Sequence, residues 1–411
     1  MMTDNAYDIL KARGFVAQVT DEEAVRHKLA AEQVTFYIGF DSTADSLHAG
    51  SLVTIMAMMH LQRAGHRPIG LVGGGTTMVG DPSGRTELRQ MLTRETITEF
   101  GYKIHAQLDH YLHFGEGRAI AENNATWLLN LNYIDFLRDI GRHFSVNRML
   151  AAEAYKQRLE RGLSFIEFNY QLLQAYDYLE LFRRYQCTLQ MGGDDQWGNI
   201  LAGVDLIRRV EGETVHAITY PLLTTASGAK MGKTAAGAVW LDATKLSPYD
   251  FYQYWINCDD RDVEKLLKIF TFLPLDEISR LAALEGADIR EAKRVLAYEA
   301  TVITHGEAAA QEAEAGAKAA FAGSGDADAM PSTTLPANRL AEGIGVLEIF
   351  EEVGLTKSRG EARRMMQQGG VYVNDERIDQ ADASLTPDQL TSNGIILRAG
   401  KKKYHRLIFE G

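Results

Sequence analysis

The pattern of hydrophobic and polar positions predicts a strand, a helix and a second strand near the start of the chain. Residues 34–38 and 69–72 are apolar runs of strand length, and residues 51–64 between them repeat apolar positions at helical spacing. Two buried strands joined by a crossover helix form the βαβ unit of a parallel sheet. We therefore expect an α/β fold.

The start of the predicted helix is a candidate anion site. We expect Ser46 to be its N-cap, with His48, Gly50 and Ser51 in the first turn. The first backbone N–H groups of a helix lack intrahelical partners, and with the positive end of the helix dipole they attract phosphate. A histidine and a glycine also open many ordinary helices, so this segment alone does not define a function.

Two loops of small and polar residues are expected at the carboxyl edge of the sheet, and a third loop carries two lysines. Residues 73–84 are glycine-rich and follow the second strand, and residues 192–198 follow an apolar run at 188–191. Open α/β sheets bind ligands at the carboxyl ends of their strands, where both loops would lie. Residues 226–234, ASGAKMGKT, place two lysines three positions apart in a loop that could close over phosphates.

The segment 86–185 is mostly helical in pattern and too long for a simple crossover, which indicates an insertion between two halves of the sheet. Within it, Tyr170, Gln174 and Asp177 occupy positions i, i+4 and i+7 and therefore share one helix face. Three polar groups on an apolar helix need partners, either in a ligand or in an internal hydrogen-bond network.

The remainder of the chain is predicted to be helical first and mixed at its end. Residues 248–320 have helical periodicity, 323–342 are a linker rich in Gly, Ser, Asp and Pro, and 343–411 combine two helices with a strand and a turn. The chain has a net charge of -12, yet residues 356–411 carry ten Lys and Arg against seven Asp and Glu. A basic terminus on an acidic protein fits a local contact with RNA.

The length and amino-acid composition limit the classes of protein to which the chain can belong. The chain has 411 residues, 45% of them hydrophobic, and can bury the cores of two or three domains. It has no run of about 18 apolar residues and no apolar segment near its start, so we expect a cytoplasmic protein without a membrane partner. Cys187 and Cys258 lie far apart without a C-x-x-C motif or paired histidines, which argues against a zinc site or a disulfide framework.

Taken together, these segments resemble the motifs of one enzyme family. Residues 48–51 and 230–234 are similar to the HIGH and KMSKS signatures of class I aminoacyl-tRNA synthetases. The surrounding words GFDSTADSLHAGS, VGGGTTMVGDPSGR, FNYQLLQAYD and GGDDQWGN resemble those of bacterial-type tyrosyl-tRNA synthetases. The resemblance covers nearly the whole chain, and the order of several separate words makes it specific.

The resemblance implies a multidomain α/β enzyme. Its parts would be a Rossmann-like parallel-sheet catalytic domain over 1–223 with a helical connective insertion at about 86–185, the lysine loop and a helical domain over 224–322, the linker 323–342, and a small C-terminal α+β S4-like RNA-binding domain over 343–411.

The resemblance also implies the reaction and the partners. The enzyme would activate L-tyrosine with ATP, with Mg²⁺ arriving with the nucleotide, and transfer tyrosine to the 3′ end of tRNA(Tyr). The carboxylate attacks the α-phosphate, so the protein has mainly to align the groups and stabilise charge on the departing pyrophosphate. A homodimer formed through the insertion is implied as well.

Carried over residue by residue, the resemblance implies four groups of contacts. The catalytic group is Thr43, His48, Ser51, Lys230, Lys233 and Thr234. The tyrosine-binding group is Tyr37 and Asp177 at the phenolic hydroxyl, Asp81, Tyr170 and Gln174 at the α-ammonium, and Gln196 near the carboxylate. The ATP-binding group is Asp41, Gly50, Thr54, Gly193, Asp195 and Lys233. The RNA-binding group is Lys357, Arg359, Arg363 and Arg364, with Arg85 and Arg89 as further candidates at the tRNA acceptor end; exposed Arg-rich helices are also common without RNA.

Two motifs depart from the family signatures, and alternatives remain open. Ser51 replaces the usual second histidine by a shorter, uncharged donor, and residues 230–234 have Gly and Thr where Ser is usual. A tryptophan ligase or a nucleotidyltransferase could use the same loops, and an RNA-binding scaffold with a decayed catalytic site is the alternative from another class. Tyr37 with Asp177 favours a phenolic substrate, and the intact His48 and lysines count against decay.

Overall fold

A computed structural model of the chain describes residues 5–83, 91–151, 155–156, 159, 162–226, 228, 231–234, 237–322, 331–374, 376–391, 394–400 and 403–410. At 233–234, 319–322, 342 and 410 the description covers the backbone alone. The chain divides into two compact units, one of Met1–Leu246 with Cys258–Ala292 and one of Ser247–Asn257 with Lys293–Gly411. Within the described ranges, no helix is both long and apolar enough to span a membrane.

A six-stranded sheet forms the centre of the first unit. Its strands are β1 (Gln18–Val19), β2 (Thr35–Asp41), β3 (Arg67–Gly73), β4 (Ile120–Asn123), β5 (Leu189–Gly193) and β6 (His216–Tyr220). They lie in the order β1-β6-β5-β2-β3-β4; β1 is antiparallel to β6 and the other neighbours are parallel. Phe36, Tyr37 and Ile38 are all buried, and because successive side chains point to opposite faces, both faces of β2 are covered. The predicted α/β class is confirmed.

Helices lie between and after these strands along the chain. In chain order they are α1 (Ala6–Arg13), α2 (Glu22–Ala31), α3 (Ala49–Arg63), α4 (Arg94–Tyr111), α5 (Ala125–Leu128), α6 (Tyr133–Asp139), α7 (Val146–Leu150), α8 (Phe165–Phe168), α9 (Tyr170–Tyr185), α10 (Trp197–Val210), α11 (Pro248–Ile256), α12 (Val263–Phe270), α13 (Leu275–Ala282), α14 (Ile289–His305), α15 (Glu307–Ala322), α16 (Ala337–Glu342), α17 (Val346–Glu352) and α18 (Arg359–Gln367). Helix α3 connects β2 to β3, as the pattern of apolar runs predicted, and α10 connects β5 to β6.

Strand β4 lies inside the segment 86–185 that the sequence pattern indicated as a helical insertion. It pairs in parallel with β3 at the edge of the sheet, and its four residues are half-buried. The sequence Ile-Ala-Glu-Asn has neither an apolar run nor a clear alternation, because a short edge strand buries little side-chain area. The end of β4 leads directly into Asn124, which lines the candidate active site, and then into α5.

A second sheet organises the second unit. Its strands are β9 (Ser332–Pro336), β11 (Val371–Val373), β12 (Glu376–Arg377), β14 (Ile395–Ala399) and β15 (Lys403–Glu410), in the order β12-β11-β14-β15-β9. Two shorter strands, β10 (Ile344–Gly345) and β13 (Ser384–Leu385), form a separate pair. Ile349 and Phe350 of α17 and Met366 of α18 are buried with Leu397 of β14 in one apolar core. Two helices on a small sheet give this part the mixed α+β character expected for residues 343–411.

The predicted linker 323–342 differs from the structure in its second half. Residues 331–342 contain β9 and α16, and β9 pairs in parallel with β15 as an edge strand of the sheet. Leu335 is buried in the core of this unit. A sheet edge tolerates the prolines and polar residues that indicated a linker by composition. Residues 323–330 lie outside the described residues, and the other domain boundaries stay predictions.

Candidate active site

A cleft of about 400 Å³ lies at the carboxyl ends of β2 and β5. Segments far apart in sequence meet there: the end of β2, the first turns of α3, one face of α9 and the turn after β5. The predicted site residues that line the cleft are Tyr37, Asp41, His48, Gly50, Ser51, Thr54, Asp81, Tyr170, Gln174, Asp177, Gly193, Asp195 and Gln196.

His48, and not the predicted Ser46, is the N-cap of α3. Its imidazole Nδ1 accepts a hydrogen bond from the backbone N–H of Gly50 at 3.0 Å. The helix begins at Ala49 because the backbone N–H of that residue donates to the carbonyl of Val239 at 2.7 Å, and the Ser46 hydroxyl is engaged with the carbonyl of the next residue. A neutral imidazole that accepts at Nδ1 carries its proton on Nε2, so His48 caps the helix with one nitrogen and keeps an N–H donor on the other.

The backbone of the lysine loop contacts this helix start. Gly232 has a φ of +80°, and a Cβ atom at that position would lie 2.5 Å from the backbone nitrogen of Gly50. Glycine is therefore required here both for the left-handed conformation and for the close approach. The next residues form β7 (Lys233–Thr234), which pairs with β8 (Gly237–Ala238), whereas Lys230 lies outside the described residues. The structure thus brings the predicted lysine loop and the predicted anion site side by side.

Asp177 is a buried carboxyl held by two side-chain donors. Asn124 Nδ2 donates to its Oδ2 at 2.9 Å, and Trp127 Nε1 donates to its Oδ1 at 2.7 Å. Burial raises the pKa of Asp177, whereas the hydrogen bonds from Asn124 and Trp127 lower it, because both donors favour the charged carboxylate. Each carboxylate oxygen has a second lone pair, so the group can accept a further hydrogen bond from a ligand in the cleft.

Tyr37 and Gln190 present two more buried polar groups to the same part of the cleft. They lie in register on the neighbouring strands β2 and β5, and Tyr37 is 1% exposed. Its hydroxyl and the side-chain oxygen of Gln190 have no hydrogen-bond partner among the described residues. Burial raises the pKa of Tyr37 well above its ordinary value, and the nearby Asp177 raises it further. Buried polar atoms in native proteins are generally paired, so these two atoms fit a polar ligand.

A second polar cluster lies farther along the cleft. Gln196 Nε2 donates to Asp81 Oδ2 at 2.7 Å, and Asn199 Nδ2 donates to Gln196 Oε1 at 3.2 Å. The Tyr170 hydroxyl donates to Asp41 Oδ2 at 3.3 Å. Carboxylates and side-chain oxygens in a partly desolvated cleft are suited to bind a ligand cation such as an ammonium group.

Five residues predicted to contact ATP line the cleft, namely Asp41, Gly50, Thr54, Gly193 and Asp195, whereas the side chain of Lys233 lies outside the described part of the structure. The Thr54 hydroxyl meets the hydroxyl of Tyr220 at 2.5 Å, and Gly193 and Asp195 lie where β5 ends. Thr43 is exposed and does not line the cleft; its backbone N–H donates to the carbonyl of Asp41 at 2.9 Å.

Sequence reasoning missed four side chains of this site, Asn124, Trp127, Gln190 and Tyr220. The polar face of α9 indicated that its side chains need buried hydrogen-bond partners, but it did not indicate which residues provide them. Asn124 and Trp127 stand three positions apart in a segment that indicated only an apolar helix, and Gln190 is the one polar residue in an apolar strand. A lone polar residue in such a strand is the signal that could have been used.

The predicted RNA-binding residues lie on or next to α18. Lys357, Arg363 and Arg364 are exposed. Arg359 is exposed too, and its guanidinium forms ion pairs with Glu351 at 3.2 Å and with Glu348 at 3.3 Å. The other two candidates, Arg85 and Arg89, fall outside the described residues.

Comparison with known proteins assigns both parts of the chain. The family model "tRNA synthetases class I (W and Y)" matches residues 29–322, and the "Tyrosine--tRNA ligase SYY-like C-terminal domain" matches residues 324–407. The tyrosine–tRNA ligase of Caldanaerobacter subterraneus subsp. tengcongensis is 54% identical over 98% of this chain and 98% of its own length. That of Clostridium tetani is 53% identical over the full length of both. The chain therefore belongs to the class I tRNA synthetases of the W and Y group, which confirms the resemblance drawn from its motifs.

Solved structures agree with this assignment. A C-terminally truncated mitochondrial tyrosyl-tRNA synthetase of Aspergillus nidulans is 30% identical, with a TM-score of 0.69 over 76% of this chain and 93% of the other. The tyrosyl-tRNA synthetase of Archaeoglobus fulgidus in complex with L-tyrosine is 16% identical, with a TM-score of 0.58 over 75% of this chain and 99% of the other. The second likeness shows a shared fold alone.

Proposed function

We propose that this chain is a tyrosine–tRNA ligase. It activates L-tyrosine with ATP to tyrosyl-adenylate and pyrophosphate, and then transfers tyrosine to the 3′ end of tRNA(Tyr). The observation that carries the proposal is the buried Asp177 carboxylate, held by two donors in the same cleft as the Tyr37 hydroxyl. The full-length similarity to tyrosine–tRNA ligases supports the same activity.

The chemistry of this pocket selects a phenol. A phenolic hydroxyl can donate to the Asp177 carboxylate and accept from the Tyr37 hydroxyl at the same time. Phenylalanine would leave the Tyr37 hydroxyl without a partner, at a cost of about 1–3 kcal/mol for a buried neutral group, and would leave Asp177 without a third donor besides Asn124 and Trp127. The indole N–H of tryptophan donates but cannot accept, so it satisfies only one of the two.

The other predicted contacts complete the assignment. We assign Asp81, Tyr170 and Gln174 to the α-ammonium group of tyrosine and Gln196 to its carboxylate, because these side chains line the cleft beyond the phenol pocket.

ATP would lie along α3 and the end of β5. We assign Asp41, Gly50, Thr54, Gly193 and Asp195 to the nucleotide. The helix start with His48 and Ser51 and the lysine loop with Lys230, Lys233 and Thr234 would stabilise charge on the departing pyrophosphate. We assign Mg²⁺ to the nucleotide phosphates, with which this ion usually enters such sites.

We also propose a cytoplasmic homodimer. Large apolar side chains are exposed in the segment that the resemblance assigned to the dimer contact: Tyr133 (60% exposed), Ile134 (66%), Val146 (56%) and Phe165 (72%). Apolar side chains that are exposed together in one part of a protein often mark an interaction surface. Analytical ultracentrifugation of the purified protein tests the dimer.

The decisive test of the proposed function is ATP–pyrophosphate exchange with each of the twenty standard amino acids in turn. We expect exchange with tyrosine, and none above background with phenylalanine or tryptophan, because only a phenol satisfies Tyr37 and Asp177 together. Exchange with tryptophan would reject the proposal, and so would the absence of exchange with every amino acid.

A second prediction concerns the RNA-binding group of the C-terminal domain. Replacing Lys357, Arg363 and Arg364 by alanine should raise the KM for tRNA and reduce the slope of log affinity against log salt by about 2–3, since each phosphate contact contributes about one. Tyrosine-dependent exchange should be unchanged. Arg339→Ala is the matched control, because this guanidinium of the same domain is ion-paired with Glu352 at 2.7 Å. An unchanged salt slope in the triple variant would refute the assignment.

A further inference from the structure

A phenol at the end of β6 contacts the face of α3 that carries the HIGH-like motif. Tyr220 is the last residue of β6, lies in register beside Gly193 of β5 and is 6% exposed. Its hydroxyl meets the Thr54 hydroxyl at 2.5 Å, and both residues line the cleft. Thr54 follows Ser51 by one helical turn, so the two hydroxyls project from the same side of α3.

Ser51 is one of the positions at which this chain departs from the family signatures. A serine hydroxyl is shorter than an imidazole and cannot carry a positive charge. The nucleotide side of the cleft therefore lacks one long-reaching donor, and Tyr220 brings an additional hydroxyl to the neighbouring turn of the same helix.

The direction of the hydrogen bond follows from the acidity of the two groups. A phenol is a stronger acid than an aliphatic alcohol, so the Tyr220 hydroxyl is the better donor and the Thr54 oxygen the better acceptor. Burial raises the pKa of Tyr220, which keeps its proton in place at neutral pH. With its oxygen engaged by Tyr220, the Thr54 hydroxyl can direct its own proton to an acceptor in the cleft.

We propose that Tyr220 is a positioning residue for ATP: it holds the Thr54 hydroxyl as a donor to the ribose–phosphate part of the nucleotide and so replaces the contact that Ser51 is too short to make. The inference rests on the proposed function, because it places the nucleotide along α3. Tyr220 lies outside both signature motifs, and it would act on Thr54, a residue far from it in sequence.

The test measures ATP–pyrophosphate exchange of the full-length enzyme and its variants at varied ATP and varied tyrosine. Tyr220→Phe removes only the hydroxyl and should lower kcat/KM for ATP about tenfold, the effect of one hydrogen bond. The KM for tyrosine and the dissociation constant of tyrosine, measured by equilibrium dialysis without ATP, should not change. Ser51→His should raise kcat/KM for ATP more in the Tyr220→Phe background than in the wild type, because the imidazole then supplies the missing donor.

Tyr155→Phe is the matched control, since the Tyr155 hydroxyl donates to the carbonyl of Phe168 at 3.1 Å and should be dispensable for ATP binding. An unchanged kcat/KM for ATP in Tyr220→Phe would overturn the inference, as would an equal loss of tyrosine affinity or the absence of any rescue by Ser51→His. Wild-type exchange with tyrosine tests the proposed function separately, so that each hypothesis can fail alone.

Discussion

Asp177→Asn is expected to lower kcat/KM for tyrosine in the activation step by about 10²–10³-fold. The carboxylate accepts from Asn124 and from Trp127, one donor at each oxygen. An amide has only one oxygen, so its NH₂ group must face one of these two donors and leave it unpaired. The ligand hydroxyl also loses a charge-assisted partner, and hydrogen bonds to charged groups contribute about 1.5–3 kcal/mol. The kinetics of pyrophosphate exchange at saturating ATP measure the loss.

Further variants show whether Asp177 recognises the phenolic hydroxyl or only stabilises the protein structure. Trp127→Phe removes one donor but keeps the charge, and a loss of about tenfold is expected. Asp109→Asn, the same substitution at an exposed carboxylate on α4, should have no effect. Binding of phenylalanine should be much less affected by Asp177→Asn than binding of tyrosine. If affinity for both amino acids fell by the same factor, Asp177 would have no part in reading the hydroxyl.

The parallel sheet could be predicted because its central strands are apolar on both faces. β2 and β3 are continuous apolar runs, and the crossover helix α3 between them has helical spacing of its own. The same pattern placed the loops at the carboxyl ends of the strands. It also placed Tyr170, Gln174 and Asp177 on one face of α9, where all three line the cleft.

The partners of those residues could not be predicted in the same way. Asn124 and Trp127 reach Asp177 because β4 pairs with β3 at the edge of the sheet. These two strands lie far apart in sequence, so no local sequence pattern indicates that they pair. At the start of α3, by contrast, a clear local signal led to a wrong prediction. Ser46 has the better propensity for an N-cap, but the backbone contact of Ala49 with Val239 fixes the start of α3 and leaves the cap to His48. Tertiary contacts override local preference at both places.

The second largest effect is expected at that cap. His48→Ala should slow adenylate formation by about 10²–10³-fold, the usual cost of removing one preorganised donor from a site of developing charge. The imidazole Nδ1 is engaged with the N–H of Gly50, so the donor lost is the Nε2 proton on the same ring. Quenched-flow measurement of tyrosyl-adenylate formation gives the rate, and equilibrium dialysis should show an unchanged dissociation constant for tyrosine.

Alanine also removes the helix cap, at a cost of about 1 kcal/mol in stability, and the two consequences have to be separated. His48→Asn serves this purpose, because asparagine is among the best N-cap residues and its side-chain oxygen can still accept from the N–H of Gly50. Its amide lacks the length of the imidazole. Thermal unfolding of His48→Asn should therefore match that of the wild type, while the rate of adenylate formation stays close to that of His48→Ala. Recovery of the rate together with stability would mean that His48 acts only by ordering the first turn of α3, where the backbone N–H groups would then stabilise the pyrophosphate without the imidazole.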